Sequence, residues 1–308
     1  METVTMYDAL VSADIATDDP DGAADQLVAM LDLPKPRPNA FLEPDGHGFR
    51  AAWLRTQPSL SVAPTRIELI GPRPRQEPHD YVHERLAAQA GRPVRTHATV
   101  LAADVDTVLE HLRSKGTRHR VTPVSEDFGF PRVWLGVTAD DPLGYRPETD
   151  AGLWLEVVPS SSSGIRPARE ARKLDGPGVH RVRARRFIVD DVERSVRALE
   201  TNVALVASSV RQHEGGITAR YLLGNPYSAA LELCEPAAES ELGLFHGKWG
   251  PGPHAIVLEV GDLEAMAARL ASREVPVRRS HDPDAAPVLL PDPAHTLGVP
   301  FELVEVHS

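Results

Sequence analysis

Eight side chains at repeated places in the 308-residue chain could carry chemistry: Asp8, Glu68, His97 and Glu156 in the first half, His180, Glu232, His254 and Glu302 in the second. Imidazoles exchange protons near neutral pH, and carboxylates can act as bases toward carbon acids, so such sets are equipped for general acid–base work. In the second half 52 residues separate His180 from Glu232 and 48 separate His254 from Glu302, each about the length of one supersecondary unit. Side chains that far apart meet only if strands and helices bring them together.

The elements that must do so repeat along the chain. The stretch PETDAGLWLEVV from Pro147 has the framework of PAHTLGVPFELV from Pro293: Pro147 falls on Pro293, Gly152 on Gly298 and Glu156 on Glu302. Each reads as a turn feeding a short apolar strand with one carboxylate in its middle. Successive strand residues face opposite sides, so Glu156 points away from Leu155 and Val157, and Glu302 away from Phe301 and Leu303. HATVLAADVD from His97 and HAIVLEVGDLE from His254 also share register, which makes His97 the twin of His254. Asp8 lies ten residues before Asp18 as His180 lies ten before Asp190, and so takes the place of His180.

Taken in order, the chain gives four units of one strand, one helix and three strands. The first opens with the alternating YDALVSADIA and continues with a helix capped by Asp19 and Pro20, then RAAWLRT and TRIELIGP. Residues 73 to 93 connect it, through a short helix, to a second unit whose helix starts at Asp104 and stops at Gly116. The third has HRVRARRFIV, the helix DDVERSVRALE and three strands ending at AALELCEP; the fourth has HAIVLEV, a helix from Asp262 and the closing stretch. A serine run from Ser160 and the charged IRPAREARKLDGPG read as an exposed linker. The expected organisation is an α+β chain of two domains, 1–158 and 177–308, joined by a linker at 159–176.

Composition narrows the function. A net charge of −11 argues against a nucleic-acid backbone as partner, and no apolar run approaches the length of a membrane span. One cysteine, Cys234, allows no intrachain disulfide and no Cys-based zinc site; with no signal-peptide pattern in METVTMYDAL, a cytoplasmic location is the simple expectation. GHG at 46–48 and GPGP at 250–253 are turn chemistry, not phosphate loops. His213, His246, His281 and His295 are further proton-carrying side chains, and the basic run from Arg166 to Arg186 could steer an anion toward the second half. The expected partner is a small molecule, with monomer and homodimer both open.

A four-fold βαβββ repeat with a histidine in a first strand and a glutamate in a last strand resembles the vicinal oxygen chelate superfamily, which includes glyoxalase I, methylmalonyl-CoA epimerase, extradiol dioxygenases and antibiotic-resistance proteins. The resemblance covers nearly the whole chain, most specifically at PAHTLGVPFELVE. It implies two paired-module domains whose strands hold a single divalent ion, with the ligand places falling on His180, Glu232, His254 and Glu302. Such donors suit Fe, Ni, Co, Zn or Mn, and the ion would polarise a carbonyl while Glu302 or Glu232 moves a proton. Two alternatives stay open: an extradiol-type dioxygenase with Fe(II) on His180, His254 and Glu302, and a metal-free binding protein using the same cleft. The alternation of Arg181, Arg183 and Arg185 marks a weak point, because a shifted register would put Ala184 in the ligand place. The first half, including its own set Asp8, Glu68, His97 and Glu156, reads mainly as scaffold.

Overall fold

A computed structural model describes residues 5–36, 39–42, 48–57, 60, 63–73, 81–124, 128–135, 144–162, 176–282 and 286–306. The first unit is β1 (Tyr7–Ala16), α1 (Pro20–Leu31), β2 (Asn39–Leu42), β3 (Gly48–Leu54) and β4 (Arg66–Gly71). After α2 (Tyr81–Ala88) comes the second: β5 (Thr99–Ala103), α3 (Val105–Lys115), β6 (His119–Thr122), β7 (Arg132–Leu135), the single turn α4 (Pro147–Asp150) and β8 (Leu155–Pro159). The third is β9 (Val179–Ile188), α5 (Val192–Val203), β10 (Ser209–His213), β11 (Gly216–Tyr221) and β12 (Ala230–Pro236). α6 (Glu241–Trp249) leads to the fourth: β13 (Gly252–Val260), α7 (Leu263–Ser272), β14 (Val277–His281), β15 (Pro287–Pro291), a 3₁₀ turn (Pro293–His295) and β16 (Phe301–Glu305).

Each half makes one eight-stranded sheet, and the two orders are the same: β2-β3-β4-β1-β5-β8-β7-β6 and β10-β11-β12-β9-β13-β16-β15-β14. The mixed α+β architecture of four βαβββ modules in two pairs is therefore present as the sequence repeat required. In each sheet the first strands of two modules pair antiparallel at the centre, and each pairs parallel with the last strand of its own module. Last-strand glutamates thus lie beside first strands. The equivalence of His97 with His254 holds, since each lies two residues before the residue paired with Leu155 or Phe301.

Local chemistry starts and stops the helices where expected. Asp19, Asp104, Asp191 and Asp262 each accept a hydrogen bond from a first-turn backbone N–H, which satisfies a donor that the helix itself cannot pair. The apolar stripe of each long helix (Leu27 and Leu31, Val108 and Leu112, Leu199 and Val203, Met266 and Leu270) packs on one face of a sheet. These stripes join one continuous core that runs through both halves. Hydrogen bonds tie the halves together: the Tyr7 hydroxyl donates to Val203 O at 2.7 Å, Ala229 N–H donates to Thr65 Oγ1 at 2.9 Å, and Arg92 Nη2 donates to Pro251 O at 2.9 Å. Of the expected linker, residues 163–175 lie outside the described residues, as do residues 46 and 47 of the GHG stretch.

Candidate functional site

Each sheet holds a cavity on the face opposite its long helices. The second-half cavity measures about 430 Å³ and is lined by Arg183, Ala184, Arg186 and Val257 from the central strands and by Glu232, Cys234 and Glu302 from the last strands, with Arg211, His213 and Arg220 at one side. The strand alternation read from sequence is correct for the glutamates, because Phe301 and Leu303 lie in the helix-facing core while Glu302 lines the cavity.

What meets the two glutamates is an arginine. Arg186 Nη2 donates to Glu232 Oε2 at 3.0 Å, Nε donates to the same oxygen at 3.2 Å, and Nη1 makes a short ion pair with Glu302 Oε1. Arg220 Nε stands 3.8 Å from the other Glu232 oxygen. Burial disfavours the Arg186 charge, but the Glu302 and Glu232 carboxylates outweigh it and hold the guanidinium pKa above its ordinary range. The arrangement is a carboxylate–guanidinium–carboxylate bridge across the centre of the sheet.

His180 is elsewhere, which corrects its expected place in the site. It sits at the start of β9, six residues from Arg186 or roughly 20 Å along a strand, and its Nε2 is 2.9 Å from Gly176 O beside Gly261. The residues of β9 that line the cavity are Arg183, Ala184 and Arg186, none an imidazole. Breaks in the pairing of β9 with β13 explain the misreading. They move Arg186 to the cavity face, while Arg185 goes to the opposite one, against Phe187 at 5.3 Å and Asp14 O at 3.2 Å. His254 packs edge-on against Phe245 at 4.7 Å, and its buried Nδ1 has no hydrogen-bond partner among the described residues. Burial first, then the positive charges of Arg186 and Arg185, lower its pKa to about 3, so it is neutral at pH 7.

These residues do not fit a divalent ion. Two carboxylates carry an arginine between them, the ligand place on β9 has no donor, and among the described residues no group of three or more His, Cys, Asp or Glu side chains is placed to hold a metal. Cys234 lines the cavity, but burial raises its thiol pKa, and Thr218 Oγ1 lies 3.4 Å from its sulfur. It is a packed thiol, not a poised nucleophile. Of the other histidines, His213 and His281 line this cavity, while His246 bonds to Asp190 at 2.8 Å.

The first half, expected to be scaffold, has a cavity of about 330 Å³ lined by Phe49, Trp53, Phe128 and Phe130 together with Arg66, Glu68, His97, Arg132 and Glu156. Three of its four candidates are gathered there; Asp8 is exposed, bonded by the Ser160 hydroxyl, and stands apart. Trp53 Nε1–H donates to Glu68 at 2.8 Å, and Arg132 Nη1 donates to Glu156 at 3.1 Å. His97 lies within ring contact of Phe49 and Trp134, and burial, followed by Arg85 and Arg132, holds its pKa well below the usual value. Sequence reading missed Arg186, Arg220, Arg132 and Trp53. Trp53 had a usable signal in its position on the strand opposite Glu68.

No family model matches the chain, and no curated protein matches it in sequence. Solved structures resemble it in fold. A triple-substituted 4-hydroxymandelate synthase from Streptomyces coelicolor superposes over 98% of this chain and 93% of its own with a TM-score of 0.64 at 13% identity. Methylmalonyl-CoA epimerase from Mycobacterium tuberculosis matches 44% of this chain and 95% of its own, with 22% identity and a TM-score of 0.40. The full-length likeness, the two matching sheet orders and the paired βαβββ modules together give this chain the vicinal oxygen chelate fold in its four-module form.

Proposed function

We propose that the protein is a small-molecule binding protein that uses the cavity faces of its sheets without a divalent ion. One observation carries this reading: Arg186 already occupies the space between Glu232 and Glu302 as their counter-charge. A divalent ion entering there would lie within several ångströms of that guanidinium. At 4 Å and an effective dielectric constant of 20, a double and a single positive charge repel by about 8 kcal/mol. Expelling the arginine instead would leave its charge without the partners that raise its pKa. Neither carboxylate is free to serve as a proton-moving base, so metal-assisted proton transfer through Glu302 or Glu232 finds no support in the geometry.

The same bridge leaves a cavity suited to ligands. Its volume lies in the range of small-molecule sites, and Arg183, Arg211, Arg220 and His213 give one side a cationic character in a chain of net charge −11. Organic anions are the ligand class this lining favours.

Two measurements on protein purified without chelator test the proposal: elemental analysis for divalent metals, and a thermal-shift screen of organic acids with and without EDTA. The expected result is far less than one metal ion per chain and stabilisation by selected acids that EDTA does not change. One tightly held ion per chain, or ligand responses abolished by EDTA, would overturn it.

A further inference from the structure

We propose that the first-half cavity is a second and separate ligand site, which takes a planar aromatic carboxylate. The inference stands whether or not the second half binds a metal.

The key residue is Arg66. It projects from β4 into the cavity, is only 8% exposed, and makes no hydrogen bond or ion pair among the described residues; its Nε is a buried donor left unsatisfied. Its guanidinium lies over the Trp53 ring at 4.4 Å, which fixes its plane without using its N–H groups. A buried donor without an acceptor is costly, and an incoming oxygen anion would remove that cost. Burial lowers the Arg66 pKa, the direction expected of a cation whose partner has yet to arrive.

The surrounding charges select the ligand. Glu68, two residues along the same strand face, is held by the Trp53 indole N–H, and Glu156 is paired with Arg132. Neither carboxylate neutralises Arg66 through a direct bond, yet Glu68 is close enough to act on it electrostatically. Arg55 also lines the cavity and acts on Arg66 as a like charge, so an entering anion faces two cations. The planar fork of an arginine matches the two oxygens of a carboxylate. His97 is neutral and acts as part of the wall.

The remaining lining selects the body of the ligand. Phe128 lies 6.0 Å from Phe49 and 5.7 Å from Phe130, ring centre to ring centre, and carries the Arg132 guanidinium over its ring at 4.0 Å, so this wall of the cavity is aromatic and suits an apolar, planar body. A cavity of about 150 Å³ accommodates benzene, so the 330 Å³ here has room for a fused two-ring system with its acid group.

Calorimetry with 2-naphthoate and its neutral counterpart 2-naphthylmethanol tests the site on the full chain. Wild-type protein should bind naphthoate saturably. Arg66→Met, similar in length but uncharged, should weaken naphthoate at least tenfold while changing the neutral alcohol less than threefold. Phe128→Ala should weaken both ligands, and far-UV circular dichroism checks that each variant is folded. The proposal fails if naphthoate does not bind, if Arg66→Met leaves its affinity unchanged, or if that variant weakens acid and alcohol equally. Should Arg66→Met not fold, Phe128→Ala decides: unchanged naphthoate affinity in that variant would also overturn the site.

Discussion

Replacing Arg186 by Met removes the charge that Glu232 and Glu302 share and keeps most of the side-chain volume. The three side chains are 20%, 12% and 18% exposed, so the stranded carboxylates would be largely, though not wholly, withdrawn from water. Removing one partner of a buried ion pair typically costs 3–5 kcal/mol; partial exposure and the residual attraction of Arg220 point to the lower end, about 3 kcal/mol. At roughly 2–4 °C per kcal/mol for a unit of this size, the melting temperature at pH 7 should fall by about 6–12 °C. Adding Glu232→Gln and Glu302→Gln to the same chain removes both stranded charges and should recover at least half the loss. Urea titrations followed by circular dichroism at pH 7 read both variants. A loss below about 1 kcal/mol, or no recovery when the two glutamines are added, would refute the claim that Arg186 is the counter-ion of this site.

Four further expectations follow from the same structure. Glu156→Gln removes the negative charge facing Arg132, which is only 2% exposed, and should cost about 3–5 kcal/mol in urea unfolding, so the first-half glutamate is as structural as Glu302. His254 has a folded pKa of about 3 against 6.5, so the stability it contributes is present above pH 6.5 and is lost as pH falls toward 3; His254→Phe should gain on the wild type as buffers are made acidic, and a difference constant with pH would contradict this. Asp150 titrates in the opposite sense: burial raises its pKa from 3.8 to about 7 against the N–H bonds from Leu155 and Gly152, so its contribution is full below pH 3.8 and is lost as pH rises through 7. Unfolding curves at pH 4 and pH 8 should show Asp150→Asn improving relative to wild type at the higher pH. Gly298 has φ of +79° and would place a β-carbon 2.8 Å from Pro93 O, so Gly298→Ala should destabilise by about 2 kcal/mol or more and weaken the contact between the halves, as measured by thermal unfolding.

Much of the fold was legible because its signals are local. The aspartate caps, the Gly116 stop and the repeated Pro–Gly–Glu framework each depend on a few neighbouring residues, and the structure places them in matching positions. Asp150 and Thr296, equivalent positions in the two copies, even do related work: Asp150 accepts from Gly152 and Leu155, and the Thr296 hydroxyl donates to Val299 O. The site was less legible because it depends on registers between distant strands. Breaks in the β9–β13 ladder carry Arg186 to one face and Arg185 to the other, and nothing in HRVRARRFIV announces where they fall. Arg132 begins a four-residue strand, too short for alternation to declare its face. Helix α6, with Gly243 and Gly247 in its nine residues, has a weak helical pattern for the same kind of reason.

The glutamates explain why a metal centre could be expected from the sequence and yet not be what the strands build. Strand alternation dictates that Glu156 and Glu302 face the cavity side, and a carboxylate in such a place needs a cation. A divalent ion is one solution, an arginine on a neighbouring strand is another, and the pattern around the glutamate is identical in both cases. Here the two halves use arginines from different strands, Arg132 on β7 for Glu156 and Arg186 on β9 for Glu302. The recurring carboxylate therefore reports the fold, and only the identity of its counter-charge reports the chemistry. Once those arginines are assigned to the glutamates, Arg66 remains as a buried cation with no acceptor among the described residues, and it directs attention to the half of the molecule that the sequence pattern made look inert.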